Sequence, residues 1–163
     1  IWGSMPELYL LIIFSAVLAP SIGLLLVLLS LFGWMGLSDY VRAEFLRNRQ
    51  LDYVKAARAL GVGNGQIIWR HILPNLMSPI LVQASFIFAY AILAEAALSF
   101  LGIGIPPEIP SWGNIMAEGR TLFRVFPHNI MYPGIFLALT VLAINIMGDG
   151  LRDTLDPKMS KKV

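Results

Sequence analysis

Residues 23–37 read GLLLVLLSLFGWMGL, a run with no charged side chain. A bilayer-spanning helix needs about 20 mostly apolar residues, and the region from Ser21 to Leu37 approaches that length. Upstream lies a second apolar stretch, Met5 to Ala19, with Glu7 near its start and Pro20 after it. Pro20 and Ser21 leave room for only a tight turn, so the two stretches are expected to form a helical hairpin. Pro20 argues against one long helix, because a proline lacks the donor that a helix interior needs. Downstream, Leu76–Leu101 is a third apolar region, interrupted by Gln83 and Glu95, and Asn129–Met147 is a fourth. The expected fold class is therefore all-α, a polytopic transmembrane helical bundle with four membrane-embedded segments. The first segment is short, so its helix is expected either to be tilted or to begin before residue 1. The chain opens on Ile1 without an initiator Met and reads as part of a longer protein. No internal repeat is visible.

Composition points the same way. Of the 163 residues, 57% are apolar and 13% charged, against roughly 25% charged in soluble domains. Mean hydropathy is +0.72. A soluble domain of this size has no interior large enough for that much apolar surface, which makes lipid the natural solvent. A formal net charge of +2 is too small to suggest nucleic acid, and the absence of Cys removes disulfides and thiolate metal sites.

Where the charges lie is more informative. Arg42, Arg47, Arg49, Lys55, Arg58 and Arg70 fall between residues 38 and 75, and Arg152, Lys158, Lys161 and Lys162 follow residue 150. Only Arg120 and Arg124 lie between 102 and 128. Basic residues accumulate on the cytoplasmic side of membrane proteins. Residues 38–75 and the C-terminus are thus expected in the cytoplasm, and 102–128 outside. Two crossings separate the two basic regions, which is consistent.

Within the first basic region stands DYVKAARALGVGNGQIIWRHILPN, residues 52–75. Asp52 is placed to cap a short helix to Leu60, since its carboxylate can accept orphan backbone N–H groups. Gly61 falls where a left-handed C-cap is wanted. Asn64 is placed to cap a second short helix to Ile72, with Pro74 limiting it. The expected result is two short helices around a flexible corner. Ala56, Ala57 and Ala59 would give a face of little bulk, and Tyr53 and Leu60 would flank it and fill a groove in a partner. The plainer reading of composition alone is an amphipathic helix resting on the membrane surface.

The spacing Ala56-Ala57, three residues, Gly61, then Leu73-Pro74 resembles the coupling loop of ABC importer permeases. That loop reads E-A-A, three residues, G, nine residues, I, one residue, L-P. Lys55 stands here for the Glu, and His71 for the Ile, with Ile72 beside it. The run RHILPN, residues 70–75, resembles the dipeptide, oligopeptide and nickel subfamily. So do ILAEAALSFLGIGIPPEIPSWGNIMAEGR, residues 92–120, and NIMGDGLRDTLDPK, residues 145–158.

The resemblance covers nearly the whole chain and implies a type I ABC importer permease. Members are about twice this length with six helices, so residues 1–163 would be one N-terminally truncated permease domain. Its parts would be a coupling loop at about 52–74, an external loop at about 102–128 and a cytoplasmic tail at about 151–163. The resemblance implies a multi-pass protein of the bacterial or archaeal inner or plasma membrane. It also implies a pore shared with a homologous second permease, two cytoplasmic ATPase subunits on the coupling loops and an external solute-binding protein that delivers cargo, for which peptide is the first expectation. The coupling-loop residues would be Asp52, Tyr53, Lys55, Ala56, Ala57, Arg58, Leu60, Gly61, His71, Leu73 and Pro74. No GxxxxGKS/T phosphate loop occurs in the chain. ATP is thus expected to act on the partner, with no cofactor, metal or catalytic residue in this chain.

Several residues invite a functional and a structural reading. Glu95, deep in an apolar region, is a costly group that faces either a cavity or a neighbouring helix. The small neighbours Ala94, Ala96 and Ala97 favour helix packing over a pore carboxylate for a peptide amine or cation. Gln83, Ser85 and Tyr90 suit a pore lining and interhelical bonding equally. Asn145 is read as interhelical glue. His71 and His128 are expected on opposite sides of the membrane and so share no metal. Trp112, Ile115, Met116, Leu122 and Phe123 have helical spacing after a Ser111 cap. They suggest a short external helix, serving as interfacial anchor or as a plug or docking surface. Arg152 has helical spacing to Asp149 and Asp156 and would fix how the tail leaves the bilayer. Two other classes compete with this reading. Half of a secondary transporter would work without an ATPase, which the coupling-loop spacing opposes. An intramembrane hydrolase would need more than Glu95 at depth.

Overall fold

The computed structural model describes residues 6–155. Its elements are α1 (Glu7–Val17), α2 (Ile22–Asn48), α3 (Asp52–Ala59), α4 (Asn64–Gln66), a π-helical segment (Ile67–Ile72), α5 (Leu73–Phe100), α6 (Trp112–Leu122) and α7 (His128–Leu155). Three helical stretches are long and apolar enough to cross a membrane: Ile22–Asn48, Asn64–Phe100 and His128–Thr154. The first expected segment, Met5–Ala19, holds only α1, a shorter apolar helix of 11 residues. In the three long stretches at most 17% of the apolar window is buried within the chain. That much exposed apolar surface suits a lipid or protein environment and not water.

The described chain divides into two compact units, one of Ile1–Trp34 with Phe86–Asn145 and one of Met35–Ser85 with Ile146–Val163. In the first, α1 and the start of α2 make the expected hairpin. The Phe14 and Phe32 rings pack at 5.8 Å, and Leu10, Leu11, Leu25 and Leu28 are buried. The turn is closed by Ser21, whose Oγ accepts from the Leu24 N–H at 3.0 Å. A side-chain acceptor there satisfies one of the donors that a helix start leaves free.

In the second unit the sequence-based boundaries change in two places. The polar stretch from Ser38 begins as helix, because α2 continues to Asn48. There the Asn48 side-chain amide donates to the Glu44 carbonyl at 2.9 Å. Pro74 does not stop the second short helix: α4, the π segment and α5 follow without a break. The chain passes the proline through a wider turn, in which the Leu73 N–H bonds the Ile68 carbonyl, five residues back. A π turn of this kind loosens the ladder where a proline ring would otherwise crowd the carbonyl four residues earlier.

Candidate functional site

The cytoplasmic-type motif folds as a small core of its own. Val54, Ala57, Ile67, Ile72 and Leu76 are buried together, with Phe45, Tyr53, Val62 and Ile80 packed around them. α3 ends in a left-handed turn at Gly61, φ +78°. The Gly61 N–H bonds the Arg58 carbonyl at 2.9 Å and the Val62 N–H bonds the Ala57 carbonyl at 3.1 Å. These are the two bonds of a Schellman motif, and the accompanying apolar contact is met by Val62 and Ala57. The corner expected at Gly61 is therefore present, and it is closed and packed, not loose.

Both expected caps are displaced by one residue. Leu51, not Asp52, is the N-cap of α3, and Gly63, not Asn64, that of α4; neither helix has a side-chain cap bond. Asp52 already has helical backbone, so its carboxylate points along the first turn and pairs with Lys55 Nζ at 3.1 Å. The pair is exposed and contributes little, although an acidic group in a first turn suits the helix dipole.

The expected docking face also changes. Ala57 turns inward, so the small exposed surface of α3 is Ala56 and Ala59, flanked by Lys55 and Arg58. Tyr53 is half-buried, and its hydroxyl donates to Asn48 Oδ1 at 3.1 Å, tying α3 to the end of α2. It is thus not free to fill a partner's groove. Leu60 is 83% exposed at the corner, as a docking anchor would be, and Trp69 is 73% exposed on the π segment. Sequence reasoning passed over Trp69; the signal was a large aromatic inside an otherwise basic, polar stretch.

The π segment explains the departure at His71. Ile67 and Ile72 are both buried, at 2% and 1% exposure. Five α-helical residues would set them roughly 140° apart. In a π turn, whose bond spans five residues, they come much closer to one face. Ile72 thereby takes the inward place that an α register would give residue 71. His71 is left at the margin of the core, its carbonyl accepting from Asn75 Nδ2 at 2.7 Å. Leu73 and Pro74 follow directly, half-buried and exposed.

The external-type segment is equally ordered. α5 ends in a second Schellman turn at Gly102, φ +81°, with the Gly102 N–H on Ser99 O and the Ile103 N–H on Leu98 O. The Ser99 hydroxyl donates to Glu95 Oε1 at 2.7 Å and accepts from the Ile105 N–H at 3.1 Å. Asn114 Nδ2 reaches the carbonyls of Ile105, Pro106 and Ile109 at 3.3, 3.1 and 2.9 Å. Ser111 caps α6 as expected, its Oγ accepting from the Asn114 N–H at 3.2 Å. Side chains are absent where helices meet: a Cβ on Gly113 would collide with the Ala96 carbonyl, and one on Gly119 would lie 3.0 Å from Ile130 Cγ1. Met116 Sδ lies 3.8 Å from the place a Cβ on Gly134 would take. α6 is thus held between α5 and α7. Glu95, Ser111, Trp112, Ile115 and Thr140 line an open recess of about 410 Å³. The extra partners Ser99 and Asn114 were not singled out from sequence.

The remaining candidates are scattered. Gln83 is half-buried and Tyr90 more exposed, without hydrogen bonds among the described residues. Ser85 Oγ donates to the Val82 carbonyl and sits against Gly148. The buried Asn145 Oδ1 bonds to nothing among the described residues. The same holds for Glu7 Oε1. No Asp149–Arg152 ion pair forms among the described residues, and Asp156 lies outside them.

The comparisons with known proteins meet this geometry. The family model of the binding-protein-dependent transport system inner membrane component matches residues 1–161. The chain belongs to that family. It is 42% identical over 159 residues to a probable peptide ABC transporter permease protein, y4tQ, of Sinorhizobium fredii, covering 98% of this chain and 55% of that protein. It is 40% identical over 154 residues to the dipeptide transport system permease protein DppC of Alkalihalophilus pseudofirmus, covering 94% and 51%. It is 42% identical over 164 residues to the peptidoglycan transport system permease protein YejE of Agrobacterium fabrum, covering 97% and 41%. The chain thus spans about half the length of the curated relatives it matches.

Proposed function

We propose that this family member forms part of the translocation path of an ATP-driven, binding-protein-dependent importer for peptides, and that residues 52–74 are its contact with a separate ATPase. The observation that carries the reading is the corner at Gly61: a packed core holds α3 and the π segment while leaving Leu60, Trp69, Ala56 and Ala59 exposed. Exposed apolar anchors on a rigid corner with low-bulk positions suit insertion into a groove of a partner. Lys55 and Arg58, also exposed on α3, suit an acidic rim. The pore would be shared with a homologous second permease, with two ATPase subunits in the cytoplasm and a solute-binding protein outside. Residues 38–75 and the C-terminus would then be cytoplasmic and 102–128 external, following the basic residues. The names of the relatives, peptide, dipeptide and peptidoglycan permeases, support a peptide-containing cargo. ATP would be hydrolysed by the partner alone.

The test is a reconstituted complex of the whole permease, its partner permease, ATPases and binding protein. Leu60→Asp with Trp69→Ala should leave the permease pair inserted and associated, while the ATPases no longer co-purify and peptide uptake is lost. Undiminished uptake with both substitutions would overturn the assignment.

A further inference from the structure

The connector between α6 and α7 is a continuously exposed stretch of the first unit rich in apolar residues. Every residue from Thr121 to His128 is exposed, including Leu122, Phe123, Val125 and Phe126, with Val125 at 68%. It is nonetheless ordered, since the Val125 and Phe126 N–H groups both bond the Leu122 carbonyl, at 2.9 and 2.8 Å. Four apolar side chains held outward in a fixed turn need an occupant.

Two observations say which. The first is charge. Arg120 precedes the patch and Arg124 lies within it, and neither has a carboxylate partner among the described residues. The Arg120 guanidinium rests over the Phe100 ring at 5.7 Å, which fixes one arginine at the end of α5. Guanidinium groups suit phosphate oxygens, which their planar fork can meet two at a time. The second is continuity. The connector leads straight into α7, whose apolar window is only 6% buried. Across that entry Phe126 and His128 lie 5.8 Å apart, and His128 and Tyr132 6.0 Å. Tyr132 is of the residue type that gathers where a span meets the headgroups.

We infer that residues 120–126 are a membrane-interface anchor, with Leu122, Phe123, Val125 and Phe126 seated among the acyl-chain ends and Arg120 and Arg124 on lipid headgroup phosphates. The inference rests on the reading of this chain as a membrane permease and not on the assignment of the ATPase contact. The anchor would tie the α6 helix to the bilayer, so that the external segment moves with the membrane surface.

The experiment uses the whole permease in its complex, reconstituted in vesicles of phosphatidylethanolamine and phosphatidylglycerol. A nitroxide is placed at Val125→Cys, and another at Glu108→Cys as reference. At 125 the ratio of collisions with oxygen to collisions with a water-soluble nickel chelate should be several-fold higher than at 108. It should rise with phosphatidylglycerol content and stay unchanged when the cognate binding protein is added. With Arg120→Gln and Arg124→Gln the dependence on phosphatidylglycerol should disappear. Four results would overturn the inference: equal nickel access at both positions, shielding at 125 by the binding protein, shielding from both reagents by other protein, or a phosphatidylglycerol dependence that survives loss of both arginines.

Discussion

The Ser99 hydroxyl, buried at the end of α5, donates to Glu95 Oε1 one turn earlier at 2.7 Å while receiving the Ile105 N–H. The carboxylate thus acts through Ser99 on the loop that follows α5. Glu95→Gln keeps an acceptor oxygen in place, so assembly and peptide uptake should persist. Glu95→Leu leaves the Ser99 hydroxyl without its acceptor, and an unmet buried polar group costs about 1–3 kcal/mol. That variant should assemble less well with its partner permease in pull-down. Loss of uptake by the Gln variant within an intact complex would instead place Glu95 on the cargo path.

Gly113 and Gly104 hold the loop against α5 with no room for a side chain. A Cβ on Gly113 meets the Ala96 carbonyl, and one on Gly104 meets Ser99. Because the obstacles include backbone, neither can swing away, and overpacking of this kind costs about 1–3 kcal/mol. Gly113→Ala should lower the thermal midpoint of the purified complex by several degrees. Gly36→Ala, at a position with open space around it, should not lower it.

The π segment makes an unusual expectation about deletions. Ile67 and Ile72 share one face because the turn holds one extra residue. Deleting His71 should return the helix to an α register with both isoleucines still inward, so the protein should insert and assemble. Deleting Met77 instead rotates the rest of α5 by roughly 100° and should abolish assembly. Equal damage from the two deletions would contradict the register argument, and a pull-down of the partner permease reads it.

On the proposed topology, sidedness follows from charge. Single cysteines at Asn64 and Glu108, both exposed in a chain without cysteine, should react from opposite sides. An impermeant maleimide outside intact cells should label Glu108→Cys only. Labelling of both positions would contradict the orientation.

Much of the fold was legible because its signals are local. The run at 23–37 gave a span, Pro20 gave the hairpin turn, and Gly61 and Ser111 gave a C-cap and an N-cap that the structure contains. The displaced caps at Asp52 and Asn64 differ by a single residue, a margin that composition does not resolve. Pro74 was misjudged because a proline ends a helix only where the preceding turn stays α-helical, and the π segment does not. Ala57 and Tyr53 were placed outward because in a helix of eight residues the inward face depends on distant partners, here Ile67 and Ile72. The loop network of Ser99 and Asn114 joins side chains to backbone groups up to nine residues away, a relationship that no helical or strand period announces. The partner of Asn145 Oδ1, unmet among the described residues, was not legible because an apolar span indicates burial without indicating a donor.

Cross-linking from Leu60 tests the coupling assignment most directly. A photo-reactive side chain at Leu60, and another at Glu108, would be irradiated in the assembled importer in its membrane. From Leu60 the expected product is a covalent adduct with an ATPase subunit, weakened when Trp69→Ala is also present, with no such adduct from Glu108. Adducts from Leu60 to lipid alone, or an ATPase adduct from Glu108, would contradict the assignment of residues 52–74 as the ATPase contact.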